Sequence, residues 1–288
     1  MKVTGFSFIR NAVKYDYPIV EAIRSILPLC DEVVVAVGKS EDETLSLVQN
    51  IDAKVRVIKT VWEDQIRTSG SVLAMETNKA FDAISADTDW CFYVQGDEVL
   101  HEKYIPNVRS TMERWLKDEQ TEGLLLNYLH FYGSYDYIGD SRKWYRNEVR
   151  IIRKDERIRS FQDAQGFRKD GKKLKVRAVD AYIHHYGWVK HPEKQQQKQL
   201  NFNKLWHDDE WMKENIPKVE QFDYSKIDSL RRFEGTHPKV IQQRIQQMNW
   251  EFSFDPTLRK LAWKEQLSRW FEHWTGVRLG EYKNYKMI

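Results

Sequence analysis

Gln95, Asp97 and Glu98 follow directly on the run Trp90-Cys91-Phe92-Tyr93-Val94, so oxygen-bearing side chains succeed apolar ones abruptly. The run is short and aromatic, with Asp87 and Asp89 before it, which marks a buried central strand. In open α/β sheets, ligands collect beyond the carboxyl ends of strands. A hard cation there takes carboxylate and phosphate oxygens and keeps some waters. Asp97 is the preferred metal ligand, with Glu98 as the neighbour that could exchange roles with it. A turn-forming Asp after a glycine is the plain alternative.

The elements around this junction alternate. Val3 to Ile9, Glu32 to Val37 and Val55 to Thr60 read as strands, and Tyr17 to Leu27, Glu43 to Asn50 and Gly70 to Ile84 as helices. That rhythm predicts an α/β fold with a mostly parallel central sheet flanked by helices. Tyr104 to Lys117 is a further helix. Leu124 to Tyr132 and Val149 to Ile152 are later strands. Beyond Pro192 the pattern is helical and polar, and Gln195 to Gln199 reads as an exposed helix face. From Pro256 onward, Trp263, Trp270, Phe271 and Trp274 stand among Arg and Lys. An amphipathic helix packed on the domain is the preferred reading, and a surface-seeking membrane helix is the alternative.

Composition bounds the class. Among 288 residues, 41% are hydrophobic and 31% charged, which excludes wholesale disorder. No apolar run approaches the roughly 18 residues that cross a bilayer. The opening M-K-V-T-G-F-S-F-I-R lacks the apolar core and cleavage site of a signal peptide, so the expected location is the cytoplasm, with peripheral contact at the inner face of the membrane through the Trp-rich segment. Cys30 and Cys91 show no metal-ligand spacing and read as reduced packing residues. The net charge of +3 conceals a basic stretch, residues 142 to 177, with 14 basic against 5 acidic side chains. Such a stretch could steer a diphosphate or an anionic glycan, and charge alone does not exclude nucleic acid. The sequence contains no G-x-x-x-x-G-K-S/T, G-x-G-x-x-G or G-x-S-x-G, which argues against a P-loop kinase, a dinucleotide oxidoreductase and an α/β-hydrolase.

Four segments in order carry a resemblance: V-T-G-F-S-F-I-R-N (Val3 to Asn11), V-V-V-A-V-G-K-S-E-D-E-T (Val33 to Thr44), G-S-V-L-A-M-E-T-N-K-A-F (Gly70 to Phe81) and Q-G-D-E-V-L (Gln95 to Leu100). Together they resemble a family 2 glycosyltransferase of the GT-A fold, over roughly residues 1 to 190. The resemblance implies a catalytic domain over 1–190, with a nucleotide-sugar half (1–120) and an acceptor half (121–190), followed by a helical extension over 191–288. It also implies Mn²⁺ or Mg²⁺, a nucleoside-diphosphate sugar as donor, and a glycan or lipid-linked saccharide as acceptor. Nucleic acid becomes the less favoured partner.

The same resemblance suggests roles. Arg10 and Asn11 end the first strand where the nucleotide is contacted, and Asn78 matches an Asn of the helix before the metal motif. Gln95 replaces the first Asp of D-x-D, restricting it to a hydrogen bond with ribose or metal-bound water. Ala36 and Val37 stand where the family carries acidic residues, so base recognition does not carry over there; Asp42 nearby is a candidate, and a solvated turn its alternative. His185, in Y-I-H-H-Y-G-W, is a candidate late ligand, since neutral imidazole suits Mn²⁺ and Gly187 permits close backbone approach. Tyr186 and Trp188 could stack on an acceptor sugar or simply pack. Asp163, in S-F-Q-D-A-Q-G-F-R, is the candidate base for an inverting transfer, with a helix cap or a loop salt bridge to a nearby Arg as its alternative. Two rival functions remain. One is a catalytically inactive module that binds nucleotide or polyanion, and the other is a nucleotidyltransferase, which would release pyrophosphate.

Overall fold

The computed structural model describes residues 1–288 except 64, 67–69, 217–218, 258–262, 276–277 and 279. β1 (Val3–Ile9), β2 (Glu32–Gly38) and β3 (Val55–Thr60) lie parallel, and β4 (Trp90–Tyr93) pairs parallel with the other edge of β1. Period-two alternation divides the core between the two faces. Val33, Val35 and Val37 cluster with Ile19, Ile23 and Ile26 of helix α1 (Ile19–Ile26). Beyond α2 (Thr44–Gln49) comes α3 (Ser71–Asp82), whose Val72, Leu73 and Phe81 cluster with Val34 and Ala36 on the opposite face. The expected α/β class is what folds.

The second half completes the sheet in mixed orientation. After β5 (Glu98–Leu100) and α4 (Ile105–Arg114) come β6 (Gly123–Tyr132), β7 (Tyr137–Gly139) and β8 (Asn147–Arg153). β8 inserts antiparallel between β4 and β6, giving the order β7-β6-β8-β4-β1-β2-β3. A small separate sheet holds β9 (Ile158–Phe161), β10 (Gly166–Lys169) and β11 (Lys172–Lys173). The long β12 (Lys175–Trp188) runs parallel to β6 and antiparallel to β5, setting His185 opposite both His130 and Glu98.

The remaining segment contains α5 (Pro192–Lys204), α6 (Asp209–Asn215), α7 (Gln242–Gln246) and α8 (Trp263–Thr275). It also returns two strands to the main sheet, β13 (Leu230–Arg232) on β7 and β14 (Lys286–Met287) on β12.

Two expectations need correction. The glutamine run is not an exposed face: Gln195 and Gln196 are buried. Nor does α8 pack through its tryptophans. Its polar residues make the contacts: Glu272 accepts from Arg146 and Arg278 at 3.2 and 3.0 Å, and Arg269 donates to Asp140 at 2.5 Å. Trp270 and Trp274 point outward, 62% and 74% exposed. Among the described residues no helix is long and apolar enough to cross a membrane.

The basic stretch is paired in part. Arg146 pairs with Glu272 and Glu281, Arg150 with Glu98, Arg157 with Asp155, Lys169 with Glu122 and Asp155, and Arg177 with Asp118. Lys172, Lys173 and Lys175 stay exposed.

Candidate active site

A cleft of about 280 Å³ opens at the carboxyl ends of β1 and β4, where the sheet topology leads one to look. Arg10, Gln95, Asp97, Asp163, His185 and Trp188 of the expected residues line it. Asn11, Asp42, Asn78, Glu98 and Tyr186 do not.

Asp97 sits on the floor, held through its carbonyl, which accepts from Tyr186 N at 2.8 Å. Its Oδ2 accepts from Lys198 Nζ at 2.9 Å, and its Oδ1 lies 3.7 Å from His185 Nε2. Burial pushes the carboxyl up, but Lys198 and then His185 outweigh it and hold Asp97 well below the usual carboxylate range. Lys198 comes from α5, donates also to Gly187 O at 2.8 Å, and lies 4.9 Å from the Tyr17 ring. Burial pulls its ammonium down, and Asp97 more than compensates, so it stays charged. Gly187 is needed for this approach, because a Cβ there would stand 2.8 Å from Asp97 Oδ2 and 2.7 Å from the His185 ring.

His185 reaches the cleft because β12 pairs with β5 and β6 at that residue. Its Nδ1 lies 3.2 Å from His130 Nδ1, and His130 Nε2 lies 2.8 Å from Tyr145 O. A carbonyl only accepts, so His130 carries its proton on Nε2. Its Nδ1 then accepts from His185 Nδ1, leaving a lone pair on His185 Nε2 beside Asp97. Burial lowers the pKa of His185, against the pull of Asp97 and Glu98, and favours this neutral form.

Asp163 enters on a loop whose flanking residues, Gln162 (φ 53°) and Ala164 (φ 62°), are both left-handed. That conformation costs roughly 1–3 kcal/mol per non-glycine residue and persists only where surroundings over-determine it. Here they do. Ala164 O accepts from Gln95 Nε2 at 3.2 Å, Gln165 O accepts from Arg150 Nη1 at 2.8 Å, and Gln165 Nε2 donates to Glu148 Oε1 at 2.8 Å. The Asp163 carboxyl has no cationic partner within salt-bridge distance among the described residues, and burial raises its pKa. A carboxyl so placed suits proton acceptance.

Glu98 lies outside the cleft lining and is engaged elsewhere. Arg150 grips it with two hydrogen bonds, Nη2 to Oε1 at 2.7 Å and Nε to Oε2 at 2.9 Å. Tyr128 OH and Gln95 N take the remaining positions at 2.9 and 3.1 Å. Both charged side chains are wholly buried, and together they form a structural strut under the cleft.

The other displaced candidates have equally plain roles. Asn11 is left-handed (φ 54°), and its Oδ1 accepts from Glu41 N at 2.8 Å, tying two loops together. Asp42 accepts from Lys14 N at 2.6 Å and Thr44 N at 3.0 Å. Asn78 accepts from Ser160 N at 2.8 Å, bracing β9 on α3. Tyr186 is core, its hydroxyl 2.8 Å from His237 Nδ1 and 3.2 Å from His184 Nδ1. Trp188 does reach the cleft, because a register shift between His185 and Trp188 re-aims the strand.

Among the lining residues to which the sequence reading gave no role at the site are Trp62, Tyr17 and Lys198. Arg10 stacks over Trp62 at 4.2 Å. Lys198 had a legible signal, since Lys190, Lys194 and Lys198 recur every fourth residue. Lys190 and Lys194 donate to the carbonyls of Tyr15, Asp16 and Lys14 at 2.9–3.0 Å, fastening the loop after β1 to α5 and to the segment just before it.

The donor set does not fit a resident Mg²⁺ or Mn²⁺. No group of three or more His, Cys, Asp or Glu converges among the described residues. Asp97 and His185 lie side by side in the cleft, and Lys198 already neutralises that carboxylate. The Lys198 ammonium would repel a divalent ion on the same carboxylate.

Behind the loop, burial pushes Glu148 up to about 7, against Arg150 and Gln165. A carboxyl raised on folding contributes stability that is fully present below its unfolded value and lost as pH rises through its folded one. Glu148→Gln is therefore expected to match the parent at pH 5 and to exceed it by about 1–3 kcal/mol at pH 8. Denaturant midpoints at the two pH values check this, and equal differences at both would contradict it.

No family model matches the chain, and no curated protein does. Solved structures do resemble it in fold. *S. aureus* TarS is 17% identical with a TM-score of 0.42, over 70% of this chain and 39% of TarS. TarS 1–349 in complex with UDP-GlcNAc is 15% identical with a TM-score of 0.41, over 70% and 65%. Glucosyl-3-phosphoglycerate synthase from Mycobacterium tuberculosis, in complex with Mn²⁺, UDP and phosphoglyceric acid, is 19% identical with a TM-score of 0.31, over 45% and 43%. The chain thus spans less than two thirds of each.

Proposed function

We propose that this protein transfers a sugar from a nucleoside-diphosphate donor to a hydroxyl acceptor. One observation carries the reading: an Asp163 carboxyl without a cationic partner among the described residues and a fixed Asp97–Lys198 pair line the same cleft at the strand ends. The first can take a proton, and the second presents positive charge where a leaving diphosphate needs it.

The donor's diphosphate lies against Lys198 and Arg10, with Trp62 offering an aromatic face to the base. Asp97 Oδ1 and the His185 Nε2 lone pair accept from sugar hydroxyls. Asp163 removes the proton of the acceptor hydroxyl as its oxygen bonds to the anomeric carbon. The bond from that carbon to the diphosphate oxygen breaks, and its electron pair leaves with the nucleoside diphosphate. Attack opposite the leaving group would invert the anomeric centre. The acceptor approaches along a neighbouring groove that shares Trp188 and Gln199 with the cleft and adds Tyr132, Trp144 and Phe222. Aromatic side chains of this kind stack on sugar rings.

The test is the product. Incubated with UDP-GlcNAc and with GDP-, CDP- and dTDP-sugars, the protein should release free nucleoside diphosphate from one of them, with water standing in for the acceptor at a low rate. Release of pyrophosphate would assign it to nucleotidyl transfer instead.

A further inference from the structure

We infer that Lys198 is the resident counter-charge for the donor's diphosphate, so that nucleotide binds this cleft without a divalent ion. The inference rests on the reading of the cleft as a nucleoside-diphosphate-sugar site and adds how the phosphates are held.

Charge on the floor is the first ground. A site that gathers a hard dication presents uncompensated carboxylates, since affinity follows the count of ligand charges. Here Gln95 is neutral, Glu98 is consumed by Arg150, and Asp97 carries an ammonium, which leaves Asp163 as the one lining carboxylate without a cation among the described residues. Asp97 and Lys198 cancel, so that floor offers no net negative charge to draw a dication.

Placement is the second. An ammonium has three hydrogens. Asp97 Oδ2 and Gly187 O take two of them at 2.9 and 2.8 Å, leaving the third for a phosphate oxygen. The two acceptors fix Lys198 before any ligand arrives, so little ordering is required on binding. Asp97 then acts on the diphosphate through Lys198, as a positioning residue, and the absence of a β-carbon at Gly187 allows the three groups to meet.

The experiment is a thermal-shift series with millimolar UDP, GDP, CDP and dTDP, each in EDTA and in MnCl₂, on the parent, Lys198→Ala and Lys198→Arg. Binding to the native state raises the melting temperature. The expected result is a shift with one nucleotide in EDTA that MnCl₂ leaves unchanged. Lys198→Ala should bind that nucleotide roughly 30- to 100-fold more weakly, the scale of one charged hydrogen bond, and Lys198→Arg should retain most of the shift. Should Lys198→Ala fail to fold, titration of the parent in EDTA and the Lys198→Arg variant still decide. A shift that requires MnCl₂ overturns the inference and leaves the proposed transfer standing, as does an undiminished metal-free shift in a folded Lys198→Ala. No shift with any nucleotide, with or without metal, overturns both.

Discussion

Glu98→Ala is expected to lower stability by about 3–5 kcal/mol, because it strands the Arg150 guanidinium, wholly buried, without its partner. For a chain of this size that corresponds to a fall in melting temperature of roughly 6–20 °C. Tyr128 OH and Gln95 N lose an acceptor in the same step, so nothing nearby makes good the loss. Replacing both members of the pair, as in Glu98→Leu with Arg150→Met, should cost less than either truncation alone, since paired removal leaves no orphaned charge. Circular dichroism melts of the three variants check this. A Glu98→Ala protein that melted like the parent and differed only in its response to Mn²⁺ would return Glu98 to the metal-ligand role set aside above.

Asp163→Asn is expected to reduce turnover by about 10²–10⁴-fold, the range contributed by a positioned general base. Melting temperature and nucleotide affinity should hardly change, since its longest local bond, from Gln165 N to Oδ1 at 3.4 Å, survives in the amide. Burial raises the Asp163 pKa, so the acidic limb of the rate profile should lie above the ordinary carboxylate range and vanish in the variant. For stability the sign is the reverse: the protonated form is favoured in the fold, and that contribution is lost as pH rises through the folded value. Asp163→Asn should therefore lose no stability relative to the parent above that pH. A helix cap or loop salt bridge at this position would show the opposite, a stability loss with turnover intact.

What could be read from the residues follows their physics. Val3–Ile9 and the Trp90 strand were legible because continuous burial leaves mostly apolar side chains. Asp97, Asp163 and His185, more than 80 residues apart at the extremes, line one cleft at the strand ends. Glu98 was not legible, because its partner Arg150 lies 52 residues away and only the insertion of β8 between β4 and β6 brings it underneath. Tyr186 was legible in principle: alternation along β12 sends His184 and Tyr186 to one face and His185 to the other. Trp188 escapes that rule through a bulge, which no side-chain pattern reveals. Lys198 had only its spacing from Lys190 and Lys194 to mark it. α5 has no apolar stripe and looks solvated, yet Gln195 and Gln196 are buried and Lys198 lines the cleft.

The claim that this cleft transfers glycosyl groups is tested most directly by following single-turnover release of nucleoside diphosphate from the responsive sugar nucleotide, with the parent and Asp163→Asn side by side. The parent should release the nucleoside diphosphate, and the variant should bind the same donor but fail to turn it over. Equal release by both proteins, or pyrophosphate as the product, would contradict it.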